Sequence, residues 1–97
     1  MRDVAVIEDA AAAEASLDPL RSRILSALAE PGSATALGQR LGLPRQQVNY
    51  HLRTLEQHGL VELVEERRKG NTVERVMRAT ASSYVISPAG WSRRSAR

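Results

Sequence analysis

Apolar residues recur at helical spacing up to Gly59 and then change to a strand-like pattern, so the chain divides into a helical part and a hairpin. In SLDPLRSRILSALAEPG, Leu20, Ile24, Leu25 and Leu28 fall on one helical face. Asp18 is placed to cap that helix, and Pro19 sits in its first turn, where a missing N–H costs no hydrogen bond. Pro31-Gly32 ends the pattern. A shorter helix is expected in SATALGQRLG, with Thr35 as N-cap, Leu37 and Leu41 one turn apart, and Gly42 as the left-handed residue that closes it. After Gly42-Leu43-Pro44, the stretch RQQVNYHLRTLEQHG predicts a further helix stopped by Gly59. Two short helices joined by such a turn make a helix-turn-helix. Ahead of them VAVIEDAAAAEAS has helix-forming content and no alternation, which predicts a first helix over roughly residues 5–15.

Beyond Gly59, valines dominate LVELVEERRKGNTVERVMRAT, and two arms flank Lys69-Gly70-Asn71. Gly and Asn tolerate the positive φ of a tight turn, so this segment predicts a β-hairpin with a basic tip. Its alternation is imperfect, because Val61, Leu63, Val64, Val73, Val76 and Met77 do not all fall on one face. SYVIS at 83–87 extends the second arm or stands as a short third strand.

Composition narrows the function. A chain of 97 residues suits one small domain with one core, and with no Phe that core must be aliphatic. The absence of cysteine removes disulfides, thiolate metal sites and cysteine nucleophiles together. No window approaches the ~20 apolar residues that span a bilayer, so no membrane role and a cytoplasmic, nucleoid-associated location are expected. Net charge is unevenly spread: residues 1–59 hold six Arg against seven acids, while residues 60–97 hold seven Arg and one Lys against four. No glycine-rich phosphate loop or Ser/His/acid arrangement supports catalysis, so no enzyme activity and no cofactor are expected. His51 and His58 stand about 10.5 Å apart along a helix axis. Zinc needs each nitrogen within about 2.1 Å, so no metal site is assigned and His51 is expected to be a packed, hydrogen-bonded side chain.

On a helical wheel, Val48, Leu52 and Leu55 fall within an arc of about 60° and form the buried stripe. Asn49, Arg53, Gln46, Tyr50 and Gln47 occupy the opposite side, and no acid appears between residues 45 and 55. Gln and Asn can each pair with adenine through two hydrogen bonds, and Arg with guanine. Tyr50 is suited to a phosphate or a thymine methyl. A helix needed only for solubility would carry acids, which phosphate repels.

The stretch LxxxLGLPRQQVNYHLRTLEQHGLV, preceded by DPLRSRILSAL and followed by ERRKGN, resembles the winged helix-turn-helix domain of bacterial ArsR-type transcriptional regulators over about residues 17 to 87. The resemblance implies a mainly α fold with a small β-hairpin: a three-helix core plus a wing, with an extra N-terminal helix. It divides the chain into an N-terminal helix at 1–16 serving as a dimer element, a DNA-binding domain at 17–87, and a flexible basic tail at 88–97. It implies a homodimer on double-stranded DNA, with a recognition helix at about 45–57 in the major groove and the wing on the backbone or minor groove. The candidate contacts are Arg45, Gln46, Gln47, Asn49, Tyr50 and Arg53 on the helix and Arg67, Arg68, Lys69 and Asn71 on the wing. Two departures stand out. Pro44 stands where many relatives have Ser or Thr at the start of the recognition helix, and without cysteine sensing by thiolate coordination is not available. A small-molecule effector is compatible with the resemblance, though no residue pattern identifies one. The competing expectations are a winged-helix module for protein–protein contact, and a regulator whose ligand-binding C-terminal part lies outside this chain.

Overall fold

The computed structural model describes residues 1–87, which form five strands and four helices. Strand β1 (Arg2–Ile7) leads into α1 (Ala10–Leu17) and α2 (Pro19–Ala27). A two-residue strand β2 (Gly32–Ser33) precedes α3 (Ala34–Leu41) and α4 (Arg45–Gln57), and β3 (Val61–Lys69), β4 (Thr72–Ala79) and β5 (Ala81–Ile86) follow. The tail expected at 88–97, Trp91 included, lies outside the described residues.

The first helix expected over 5–15 is corrected: residues 2–7 form a strand, and α1 starts only at Ala10, with the Asp9 carboxylate accepting from the Ala12 N–H at 2.9 Å. β1 pairs in parallel with β5, Arg2 opposite Ala81 and Ile7 opposite Ile86. Only Ile7 of β1 is fully buried, while Val4 and Val6 lie outside, so the strand shows apolar residues on both faces and no polar alternation. β5 is thus the short separate strand, not an extension of the hairpin arm.

Asp18 ends α1 and caps α2, its carboxylate accepting from the N–H groups of Leu20 and Arg21, with Pro19 in the first turn as expected. For α3 the cap is Ser33, whose hydroxyl accepts from the Ala36 N–H at 3.1 Å, so the assignment of Thr35 as N-cap is corrected. Gly42 closes α3 at φ 70°, and Pro44 begins α4 without a side-chain cap. Ile24, Leu28, Val48, Leu55 and Met77 are the largest fully buried side chains, so α2, α4 and β4 meet in one aliphatic core.

β2, β4 and β3 form a three-stranded antiparallel sheet in that order. The irregular hairpin pattern has a structural cause: Leu63 pairs with Met77 but Glu65 with Val76, so Val64 is an extra residue in a β-bulge and the side-chain phase shifts there. At the other end of β4 the Tyr84 hydroxyl donates to the Leu60 carbonyl at 2.6 Å and accepts from the N–H groups of Thr80 and Ala81. That one phenol ties the β4–β5 corner to the end of α4.

The helix-turn-helix geometry depends on a missing side chain. A Cβ on Gly38 would lie 2.7 Å from the Leu43 carbonyl oxygen, and the Leu43 N–H donates to the Gly38 carbonyl at 2.9 Å. Gly38→Ala is therefore expected to lower the unfolding free energy by about 1–3 kcal/mol in urea titrations, through forced backbone displacement. Gly32→Ala, whose Cβ would meet Leu28 Cδ2 at an ordinary 3.6 Å, serves as the control and should be near neutral. Equal losses from both variants would refute the close-approach reading.

Candidate DNA-binding site

α4 buries Val48, His51, Leu52 and Leu55 and exposes Arg45, Gln46, Gln47, Asn49, Tyr50 and Arg53. The structure divides this outer face into rows. Arg45, Asn49 and Arg53, spaced by one turn, line a cleft of about 200 Å³ against the wing, whose far wall is Val73, Glu74 and Arg75 with Thr35 at one end. Gln46 and Tyr50 form a second row farther from the wing, Tyr50 being 65 % exposed, and Gln47 lies on the far flank. All six predicted helix residues are thus exposed, but three of them share a concave wall and three stand outside it.

The wing is less uniform than its sequence. Successive residues in a strand point to opposite faces. Arg67 and Lys69 accordingly line one groove with Thr35 and Gln39 of α3, whereas Arg68 belongs to the other face. Arg67 also bonds Glu65 at 3.1 Å, so part of its charge is matched within the strand. Arg68 and Lys69 form no ion pair among the described residues. Gly70, at φ 59°, makes the turn with Asn71 beside it, and the Thr72 hydroxyl donates to the Lys69 carbonyl.

Two contacts set the pose of the reading helix. At its far end, Arg75 of β4 donates two hydrogen bonds to the Glu56 carboxylate, at 3.2 and 2.9 Å, so the wing and the last turn of α4 are braced together. The bonded Glu56 carboxylate raises the Arg75 pKa above its ordinary value. At its middle, Arg21 Nη1 donates to His51 Nδ1 at 3.2 Å while Arg21 Nε donates to the Ala15 carbonyl at 2.8 Å. A guanidinium has no acceptor, so His51 is the neutral ring with its proton on Nε2. His51 is only 8 % exposed; burial first, then the Arg21 charge, hold its pKa below the ordinary value, with Asp18 opposing. The sequence alone does not point to Arg75 or Thr35 as site residues: Arg75 reaches the site only through the register of β4, and Thr35 reads as the cap that Ser33 provides.

Three helices, a short turn between α3 and α4, and a hairpin beside α4 define a winged helix-turn-helix protein. Residues 17–64 match the family described as helix-turn-helix domain. No curated protein matches the sequence closely enough to serve as a relative. Among solved structures, the homodimeric winged helix-turn-helix DNA-binding domain of Mb0332 from Mycobacterium bovis, described as a possible ArsR-family transcriptional regulator, is 26% identical, with a TM-score of 0.60 over 74% of this chain and 63% of that one. Reduced HlyU from Vibrio cholerae is 28% identical over 72% of both chains, at a TM-score of 0.54. NolR from Sinorhizobium fredii is 25% identical over 90% of this chain and 77% of that one, at 0.58. The chain thus carries a helix-turn-helix domain of the winged type and is similar to transcriptional regulators of the ArsR type.

The His51 contact generates a pH prediction. The folded state holds this imidazole neutral and the unfolded chain does not, so the unfolded state binds the proton more readily and stability falls as pH drops below about 6.5. The penalty is complete once the folded protein also protonates. Urea midpoints should therefore decrease between about pH 7.5 and about pH 5.5, and His51→Gln should flatten that decrease even if it lowers stability throughout. An unchanged slope in the variant would assign the effect to another group.

Proposed function

We propose that the protein binds double-stranded DNA as a homodimer on a roughly palindromic operator, with α4 in the major groove and the β3–β4 wing on the backbone or minor groove. The observation that carries this reading is the outer face of α4, free of acids from Arg45 to Leu55, whose amides, phenol and guanidinia stand exposed beside the basic wing. A two-fold assembly presents two such helices, so half-sites about one helical turn apart are expected. Mb0332 supports the dimer by similarity. Within this scheme Gln46, Gln47, Asn49, Tyr50 and Arg53 contact bases. Arg45, Arg68, Lys69 and Asn71 position the backbone, with Arg67 contributing where phosphate displaces Glu65. The protein acts in the cytoplasm, on the nucleoid. Residues 17–87 form the DNA-binding unit, and the strand-plus-helix at the N-terminus contributes to the dimer.

The test begins with selection of bound sequences from a random duplex pool, followed by fluorescence anisotropy on the selected site and on an unrelated duplex. Arg53→Ala is expected to lose about 1–3 kcal/mol on the selected site alone. Lys69→Ala should weaken both duplexes and reduce the salt-dependence slope by about one. Binding indifferent to salt and to Arg53 would overturn the reading.

A further inference from the structure

We propose that the outer edge of β1 is the homodimer interface, pairing antiparallel with β1 of a second copy about a two-fold axis at Ala5. The proposal rests on the homodimer reading above and names its surface. β1 and β5 form a sheet of two strands, and no other strand among the described residues pairs with β1. An isolated two-stranded sheet is marginal, and an unpaired edge is a template for another strand unless charge, proline or a covering element blunts it. Nothing blunts the middle of this edge, which reads Val4-Ala5-Val6. A cleft of about 600 Å³ separates Ala5 and Ile7 from Gly59 and Leu60, so the α4–β3 turn does not close over the strand.

The strand is complementary to itself. Arg2, Val4, Val6 and Glu8 alternate along its outer face, and all four are exposed. Antiparallel pairing centred on Ala5 sets Arg2 opposite Glu8 of the second copy and Val4 opposite its Val6, with the reciprocal pairs generated by the axis. Shifting the register by two residues in either direction places Arg2 or Glu8 opposite a valine. In the monomer neither Arg2 nor Glu8 has an ion-pair partner among the described residues. Both ends of β1 are bonded on the β5 side, the Arg2 N–H to the Thr80 carbonyl at 3.0 Å and the Ile7 carbonyl to the Ser87 N–H at 2.7 Å, so the opposite edge of the strand is the one that a second copy can meet. Val4, Val6 and Val85 are 51 %, 58 % and 53 % exposed and share one face, since Val6 pairs with Val85. The two-fold axis joins both sets into a single valine stripe across four strands.

Sedimentation velocity on the 97-residue chain over a concentration series tests this, with far-UV circular dichroism checking the fold of each variant. Arg2→Glu and Glu8→Arg each turn two attractions into two repulsions and should raise the dimer dissociation constant about tenfold. The double variant restores opposite charges and should return to within about twofold of the wild type. Hydrogen exchange along Val4-Ala5-Val6 should slow as concentration rises in the wild type. A wild type that stays monomeric overturns the homodimer reading and this interface with it. A wild-type dimer unaffected by either single reversal, or one not rescued in the double variant, overturns the β1 interface and leaves the homodimer standing.

Discussion

The position of the reading helix depends on how closely α3 can approach the turn that follows it. Gly38 removes the Cβ that would press on the Leu43 carbonyl at 2.7 Å, and its own carbonyl accepts the Leu43 N–H. With that approach made, the short Gly42-Leu43-Pro44 link suffices to start α4, and Val48, Leu52 and Leu55 reach the core shared with Ile24 and Leu28. A helix set further out would leave those aliphatic side chains part-hydrated, at roughly 1.5–3 kcal/mol for each one fully withdrawn. Burial of one face thus aims the other, and the outward direction of Asn49, Tyr50 and Arg53 is a by-product of packing.

Arg21 and Arg75 hold the helix at its middle and at its far end, by different physics. Arg75 and Glu56 are a partly exposed bidentate pair, so water and salt screen much of their attraction and their main contribution is geometric. Arg21 reaches a buried neutral imidazole and a helix-terminal carbonyl, groups that would be costly to leave unsatisfied. The first contact aligns the wing with α4, and the second links α4 to the α1–α2 junction. Because α1 continues directly from β1, a change at the N-terminal sheet has a short covalent and packed route to the reading helix.

Legibility in the sequence followed the range of the interactions. The helices from Pro19 onward, their Asp18 and Gly42 ends, the hairpin turn and the buried stripe of α4 all depend on residues within a few turns, and each was readable from spacing and cap chemistry. β1 was not, because its partner β5 lies at the other end of the described chain and its exposed side is as apolar as its buried one. The β-bulge at Val64 disguised the hairpin's phase for a related reason: a shifted register is a property of two strands together. Thr35 and Ser33 are both good capping residues two positions apart, and only the pairing of β2 with β4 places Ser33 at the cap. The candidate helix residues were correctly placed on the outside, whereas their division into a wing-side row and an outer row needed the wing itself.

That division bears on how sequence and backbone recognition are shared. Glu56 is matched by Arg75, Glu62 by Arg78 and Glu65 by Arg67, which leaves Glu74 as the acid in the cleft wall without an ion pair among the described residues. Arg45, Arg53, Arg68 and Lys69 have no ion-pair partner among the described residues, so positive charge exceeds the single Glu74 along the cleft and is unmatched at the wing tip. A phosphate approaching the cleft meets Arg45 and Arg53 one above the other, while Gln46 and Tyr50 project beyond it with no charge to satisfy. In the proposed complex, long-range attraction would draw the DNA backbone toward the wing side of α4 and leave the neutral row to base edges, with Arg53, at the end of the charged row, taking part in both steps.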